Sequence, residues 1–219
     1  MKKELLTTLC LAFATQSPLF AQEDAPKWMR WSAISPDGKN IAFSAYGDIY
    51  LVPVSGGKAQ AITSNTAYDY APVWSPDSKH IAFASAREGS LDVYISSLEG
   101  GSPKRLTTHS GKEVPVAFLD NEHVLFSTFQ TPSTENIQFP SSLFSQVSIT
   151  GGRPKRFSDW TLSNPSIGQK GILFDDIKGY EDNWRKHHTS SMARDIWWFD
   201  GSTYKKMTDF KGEDRNACL

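Results

Sequence analysis

The sequence predicts an all-β protein, a β-propeller of four-stranded antiparallel blades, with four blades and the start of a fifth. Three observations carry this. One segment recurs at a near-constant interval. Each copy holds four short runs of strand-forming residues separated by turn residues. No long window shows a helical period.

The first two copies set the unit. Trp31 to Phe43 reads WSAISPDGKNIAF, and Ala71 to Phe83, 40 residues on, reads APVWSPDSKHIAF. Gly47 to Thr63 reads GDIYLVPVSGGKAQAIT and Leu91 to Thr107 reads LDVYISSLEGGSPKRLT, an offset of 44 because Ala86 to Ser90 lengthens the second unit. A third copy runs from Pro115-Val116-Ala117-Phe118 through His123-Val124-Leu125-Phe126 to Gly151-Gly152 and Arg156-Phe157. A fourth has Asn164-Pro165-Ser166-Ile167, Gly171-Ile172-Leu173-Phe174, Asp195-Ile196-Trp197-Trp198 and Met207-Thr208.

Each element has a local cause. A leading strand is expected near Met29 to Ile34. Ser35-Pro36-Asp37-Gly38 fits a type I turn: Pro presets the second position, Asp bonds nearby amides and Gly takes the fourth. Ile41-Ala42-Phe43 reads as a buried strand and Ile49-Tyr50-Leu51-Val52 as another, after which Gly56-Gly57 turns the chain into a last strand ending at Thr63. A β-sandwich could also use short strands, but it needs no Ser-Pro-Asp turn at a fixed offset. Blades are expected at 28–66, 67–110, 111–160 and 161–210, with a stub at 211–219, each contiguous in sequence. Four blades and a stub read as part of a longer protein, and Ala217-Cys218-Leu219 as a truncation or a shifted frame.

Composition narrows the function. The 219 residues carry 23 Lys+Arg against 24 Asp+Glu, a net charge of −1, which gives no bulk attraction to nucleic acid or to an anionic membrane. Seven Trp, seven Tyr and 13 Phe supply a large core and exclude collagen, coiled coil and wholesale disorder. Met1 to Ala21 reads as a secretory signal: Lys2 and Lys3 precede an apolar stretch, and Ala21 suits cleavage before Gln22. Thr7, Thr8, Thr15, Gln16, Ser17 and Pro18 make that stretch too polar to span a bilayer. The expected location is periplasmic or secreted, with no membrane attachment after cleavage. Residues 22–219 form the partial propeller, whose remaining Cys218 makes no intrachain disulfide.

No arrangement of Ser, His and acid points to a nucleophile. There is no Gly-x-Ser-x-Gly turn, no Gly-rich loop opening a helix and no Cys/His pair at structural zinc spacing, so no catalytic residue, cofactor or metal is expected. Two insertions interrupt the strand pattern. Gln130 to Ser142, with Phe139-Pro140, reads as a solvated loop. Asp176 to Arg194 is richer, and a loop of this length inside a blade is uncommon without a role. Its Trp184, Arg185, Lys186, His187, His188 and Arg194 are candidates for peptide or carboxylate contact, or for packing against a neighbouring domain with Trp184 as anchor. Neighbouring His187 and His188 would point apart in a strand, which argues against a metal.

The repeated unit resembles the WD40-like repeat of TolB and of peptidase propellers. Gly179 to Trp198, GYEDNWRKHHTSSMARDIWW, followed by Phe210-Lys211-Gly212-Glu213-Asp214-Arg215-Asn216, resembles more particularly the N-terminal propeller of tricorn-type serine peptidases. The resemblance covers residues 22–219. It implies an incomplete six-bladed ring, followed in such proteins by a seven-bladed propeller, a PDZ domain and catalytic regions. It also implies a homohexamer that degrades oligopeptides, whose propellers channel or gate the substrate. The catalytic groups of that family lie in later regions, so this portion is expected to be non-catalytic, a channel and assembly scaffold whose partners are peptides and downstream domains. The alternatives are a stand-alone TolB-like periplasmic binding propeller and the propeller of a prolyl-oligopeptidase-type hydrolase.

Overall fold

The computed structural model describes residues 28–128, 143–158, 162–168, 170–178 and 191–219. They form sixteen β-strands in four antiparallel sheets, each built from four consecutive strands. The first blade is β1 (Arg30–Ile34), β2 (Asn40–Ala45), β3 (Asp48–Pro53) and β4 (Gln60–Ala61). The second is β5 (Asp69–Trp74), β6 (His80–Ser85), β7 (Asp92–Ser97) and β8 (Lys104–Arg105). The third is β9 (Glu113–Phe118), β10 (His123–Thr128), β11 (Leu143–Ser148) and β12 (Lys155–Arg156). The fourth is β13 (Leu162–Gly168), β14 (Gly171–Asp176), β15 (Ile196–Phe199) and β16 (Tyr204–Lys206). The leading strands β1, β5, β9 and β13 lie against one another in turn, and the short fourth strands lie outermost. This is the propeller blade that the repeat predicts.

Alternation along each strand gives every blade two apolar faces, and the core lies between blades. Ala42 and Ile49 of the first blade meet Trp74, Ile81, Phe83 and Tyr94 of the second. Ala82, Val93 and Ile95 meet Phe118, Val124 and Phe126 of the third, and Leu125 and Phe144 meet Leu162 and Phe174 of the fourth. The indole N–H of Trp74 also donates to the Ala33 carbonyl at 3.0 Å. Ile34, one repeat before Trp74, is 65% exposed against 8% for Trp74, because among the described residues no blade packs on the outer flank of the first.

The Ser-Pro-Asp turns form as their residues dictate. Gly38 N–H donates to the Ser35 carbonyl at 2.8 Å, and Ser78 to Ser75 at 2.9 Å. Ser35 and Ser75 each donate a 2.6 Å hydrogen bond to the Asp two residues on, and each accepts from the backbone N–H five residues on at 2.9 Å. These turns also join the blades. Asp37 N–H donates to Ser78 Oγ at 3.1 Å, and Asp77 N–H to Asn121 Oδ1 at 3.0 Å. A second recurring device is the Thr that ends a unit: Thr63, Thr107 and Thr208 accept the backbone N–H of Ile49, Val93 and Ile196 at 2.9, 2.9 and 3.1 Å.

The leading strands are bulged. Trp31 (φ 56°), Ala71 (φ 54°) and Asn164 (φ 47°) turn left-handed where the register to the second strand shifts. In the third blade Pro115 holds this place, and its ring keeps φ negative. The same conformation returns at Asn216 (φ 59°). Two residues earlier, Asp214 N–H donates to the Arg194 carbonyl at 3.0 Å, as Asp69 N–H does to Gly47 at 2.8 Å. Residues 214–219 therefore follow the opening course of a fifth leading strand. Asn216 N–H donates to Asp175 and Leu219 N–H to Ser166 Oγ at 3.0 Å.

Candidate functional site at the insertion face

Antiparallel topology sends every connection between second and third strands, and every connection between blades, to one face of the molecule. On that face the second-to-third connections lengthen from residues 46–47 in the first blade to 86–91, 129–142 and 177–195 in the later ones. The strand ends that flank the two insertions singled out from the sequence thus lie on one face, which the leading strands enter at the centre.

Of the candidate residues, Trp184, Arg185, Lys186, His187 and His188 lie outside the described residues, as do Met1 to Ala21 and Gln130 to Ser142. Arg194 is described. Its Nη1 donates to Ser163 Oγ at 3.1 Å and its Nε lies 3.9 Å from Glu213 Oε1. Glu213 also pairs with Arg215, so two guanidiniums converge on one carboxylate beside the fourth leading strand.

The feet of the fourth-blade insertion are pinned by a network the sequence reading missed. Lys178 Nζ donates to the Ala193 carbonyl and to Asp195 Oδ2, both at 2.6 Å, and lies 3.6 Å from Asp176 Oδ2. Asp176 accepts from Asp195 N–H at 2.8 Å and from the Trp197 indole at 3.0 Å. Lys206 closes on Asp195 Oδ2 at 2.8 Å. Burial alone would raise the Asp195 carboxyl, but the hydrogen bonds and charges of Lys178 and Lys206 outweigh it and hold the group below its ordinary range. Burial likewise pulls the Lys178 ammonium down, and the contacts with Asp195 and Asp176 outweigh it and raise it. The sequence signal was an Asp at or just before the start of the third strand in three of the four blades, Asp48, Asp92 and Asp195, each followed by an Ile or Val.

Acids are buried across the same face. Asp69 pairs with Arg87 at 2.7 Å and Asp92 with Arg105 at 2.8 Å, and both carboxylates are fully buried. Burial pushes the Asp92 carboxyl up despite Arg105. It pushes Glu113 up too, against hydrogen bonds from the Thr107 hydroxyl and the His109 backbone. Asp69 and Glu113 open the second and third leading strands, Asp214 stands at the matching place after the fourth blade, and each donates its backbone N–H to a carbonyl of the preceding blade. No group of three or more His, Cys, Asp or Glu among the described residues is placed to hold a metal, and no helix there is long and apolar enough to cross a membrane. The arrangement is one of structural ion pairs around a face that carries long connections.

The blades and their contiguous order define a β-propeller architecture. Residues 26–219 match the model of the tricorn protease N-terminal β-propeller domain, and the chain belongs to that family. It is 27% identical over 179 residues to tricorn protease homolog 1 of Streptomyces coelicolor, an alignment spanning 80% of this chain and 16% of that protein. Among solved structures, the crystal structure of the tricorn protease superposes with a TM-score of 0.63 at 19% identity, covering 86% of this chain and 19% of that one. TolB from Acinetobacter baumannii superposes at 0.61 with 22% identity, covering 85% of this chain and 45% of that one. At these identities the structural likeness concerns the fold. The chain spans about a sixth of the length of the curated tricorn relatives it matches.

Proposed function

We propose that this chain is the substrate-handling propeller of a tricorn-like serine peptidase that degrades oligopeptides. It acts without catalytic residues of its own, as a channel or gate and as an assembly scaffold for downstream domains and a hexamer. The observation that carries the reading is the family match over residues 26–219, joined to the pinned insertion on the face the leading strands enter. On this reading the Trp184 to His188 segment presents an aromatic and cationic surface to peptides or to a neighbouring domain. Met1 to Ala21 is an export signal, and the protein works in the periplasm or outside the cell.

The test uses the longer gene product that carries this propeller. Residues 179–190 are replaced by a short Gly-Ser connection, and hydrolysis is followed for a fluorogenic tripeptide and for a quenched 20-residue peptide. A gate predicts a changed ratio of kcat/KM between long and short substrates with an intact melting transition. An unchanged ratio removes the gating role, and a gene product without any serine-peptidase region removes the peptidase reading. The likeness to TolB supports the second reading, a binding propeller that recruits partner proteins; retention of partners by the 219-residue chain, without any peptidase, would favour it.

A further inference from the structure

We propose that a cavity of about 250 Å³ at the junction of the first and second blades, on the insertion face, is a docking site for an acidic peptide bearing a prolyl or aromatic ring. The inference rests on the peptide-handling reading above and gives it a specific subsite.

The cavity is lined by Trp28, Arg30, Ser44, Tyr46, Gly47 and Tyr68. Its floor is firm. Ser44 is buried at the end of β2, and its hydroxyl donates to the Arg30 carbonyl at 3.2 Å. Its walls are rings left in water: Trp28 is 68% exposed and Tyr46 69%. The third ring, Tyr68, is held. Tyr68 stacks on Tyr70 with centroids 5.3 Å apart, and Tyr70 meets Trp31 at 5.7 Å, so an aromatic ledge continues from the cavity along the leading strands. The Tyr68 ring also sits over the hairpin turn, against the place a side chain on Gly47 would fill.

Tyr46 adds a further argument. It occupies a two-residue hairpin connection with φ 52°, a left-handed conformation that an aromatic side chain adopts at a cost and that Asn or Gly would adopt more readily. The turn does not need a ring there. The ring nevertheless stands at the mouth of the cavity, the kind of locally disfavoured choice that accompanies binding surfaces.

Charge selects the occupant. Arg30 lies over the Trp28 ring at 5.5 Å and has no carboxylate partner among the described residues, and no acid lines the cavity. A cationic ligand is disfavoured and an anionic one attracted. The volume suits one or two side chains, smaller than a drug-sized site. Flat rings around such a notch accept a proline or an aromatic side chain of an extended chain, with the acid alongside on the guanidinium.

Isothermal titration calorimetry on the 219-residue chain tests this with three probes: the acetylated, amidated peptide Glu-Pro-Phe-Glu, its Gln-Pro-Phe-Gln counterpart, and cellopentaose. The acidic peptide is expected to bind about fivefold more tightly than the neutral one. Tyr46→Gly, which keeps the turn and removes the ring, is expected to weaken binding about tenfold with no loss of Tm. Arg30→Gln is expected to erase the difference between the two peptides. Peptide binding that survives both substitutions overturns this site and leaves the wider peptide-handling reading standing. Absence of binding by either peptide overturns the proposal, whereas the wider reading is decided separately by the insertion replacement. Binding of cellopentaose that Tyr46→Gly abolishes reassigns the cavity to carbohydrate and overturns it as well.

Discussion

Lys178 ties the two ends of the fourth-blade insertion, and Lys178→Met cuts that tie. The wild-type ammonium makes two hydrogen bonds of 2.6 Å, one to the Ala193 carbonyl and one to Asp195, and its side chain is 32% exposed. A hydrogen bond involving a charged group contributes about 1.5–3 kcal/mol when desolvated. Two features reduce the net loss. The site is partly solvated, and Lys206 remains on Asp195 at 2.8 Å while the Trp197 indole remains on Asp176. The expected cost is therefore about 1–2 kcal/mol, which lowers Tm by roughly 3–6 °C for a domain of this size. Lys206→Met alone should cost less than about 1 kcal/mol, since its ammonium is more exposed. The double variant should exceed the sum of the singles by at least about 0.5 kcal/mol, because each lysine covers for the other at one carboxylate. Thermal unfolding followed by tryptophan fluorescence gives the energies. Limited trypsinolysis, with cleavage at Arg185 and Lys186 mapped by mass spectrometry, gives the local effect, an acceleration of about tenfold in Lys178→Met. Strict additivity of the two substitutions, or an unchanged cleavage rate with unchanged Tm, would refute the view that this network holds the insertion's feet.

Three further outcomes are expected. Ser75→Ala removes the acceptor for the His80 N–H and the donor to Asp77 at a buried serine whose turn neighbours Pro76, Asp77 and Lys79 are exposed, at about 1–2 kcal/mol, measurable by urea denaturation at constant m-value. Gly171→Ala should be among the most damaging single changes, about 3 kcal/mol or more: an added Cβ would lie 2.4 Å from the Phe199 carbonyl oxygen and 2.5 Å from the Trp198 ring, so a normal melting curve would sink that account. For Glu113 the folded carboxyl sits above its unfolded value because of burial. The folded state then binds more protons than the unfolded one, and this group's contribution is present below the unfolded pKa, about 4.3, and lost as pH rises through the folded value. Glu113→Gln should flatten that part of the stability–pH curve above pH 4, and an unaltered slope would show that Glu113 does not supply it. Asp195 has the opposite sign. Its depressed carboxyl contributes stability above about pH 4 that is lost on further acidification.

Much of this architecture was legible because a blade is a local object. Ser35-Pro36-Asp37-Gly38 makes its turn from its own backbone preferences, and Ile41-Ala42-Phe43 alternates its faces by strand geometry, so a repeat in sequence becomes a repeat in space. The fifth unit was expected as a stub at 211–219 from the repeat length, and the structure gives Asn216 the left-handed turn of the earlier leading strands. The candidate site was harder. Trp184, Arg185, Lys186, His187 and His188 stood out by composition and lie outside the described residues, whereas Arg194 proved to be engaged with Ser163 and Glu213. Lys178 and Lys206 carried no motif, since 28 residues separate the two lysines that share the Asp195 carboxylate.

By itself the sequence determined the blade count, the turn chemistry and the family, because each depends on residues close together in the chain and on their repetition. Only the tertiary structure decided which distant groups meet. It placed the strand ends that flank both insertions, and the aromatic cavity, on one face, joined Asp37 to Ser78 and Asp77 to Asn121 across blades, and set Lys178 between the feet of its loop. Those contacts depend on how blades twist and stack on their apolar faces. That packing is cooperative over the whole core, and no local pattern of residues encodes the distance between two side chains on different blades.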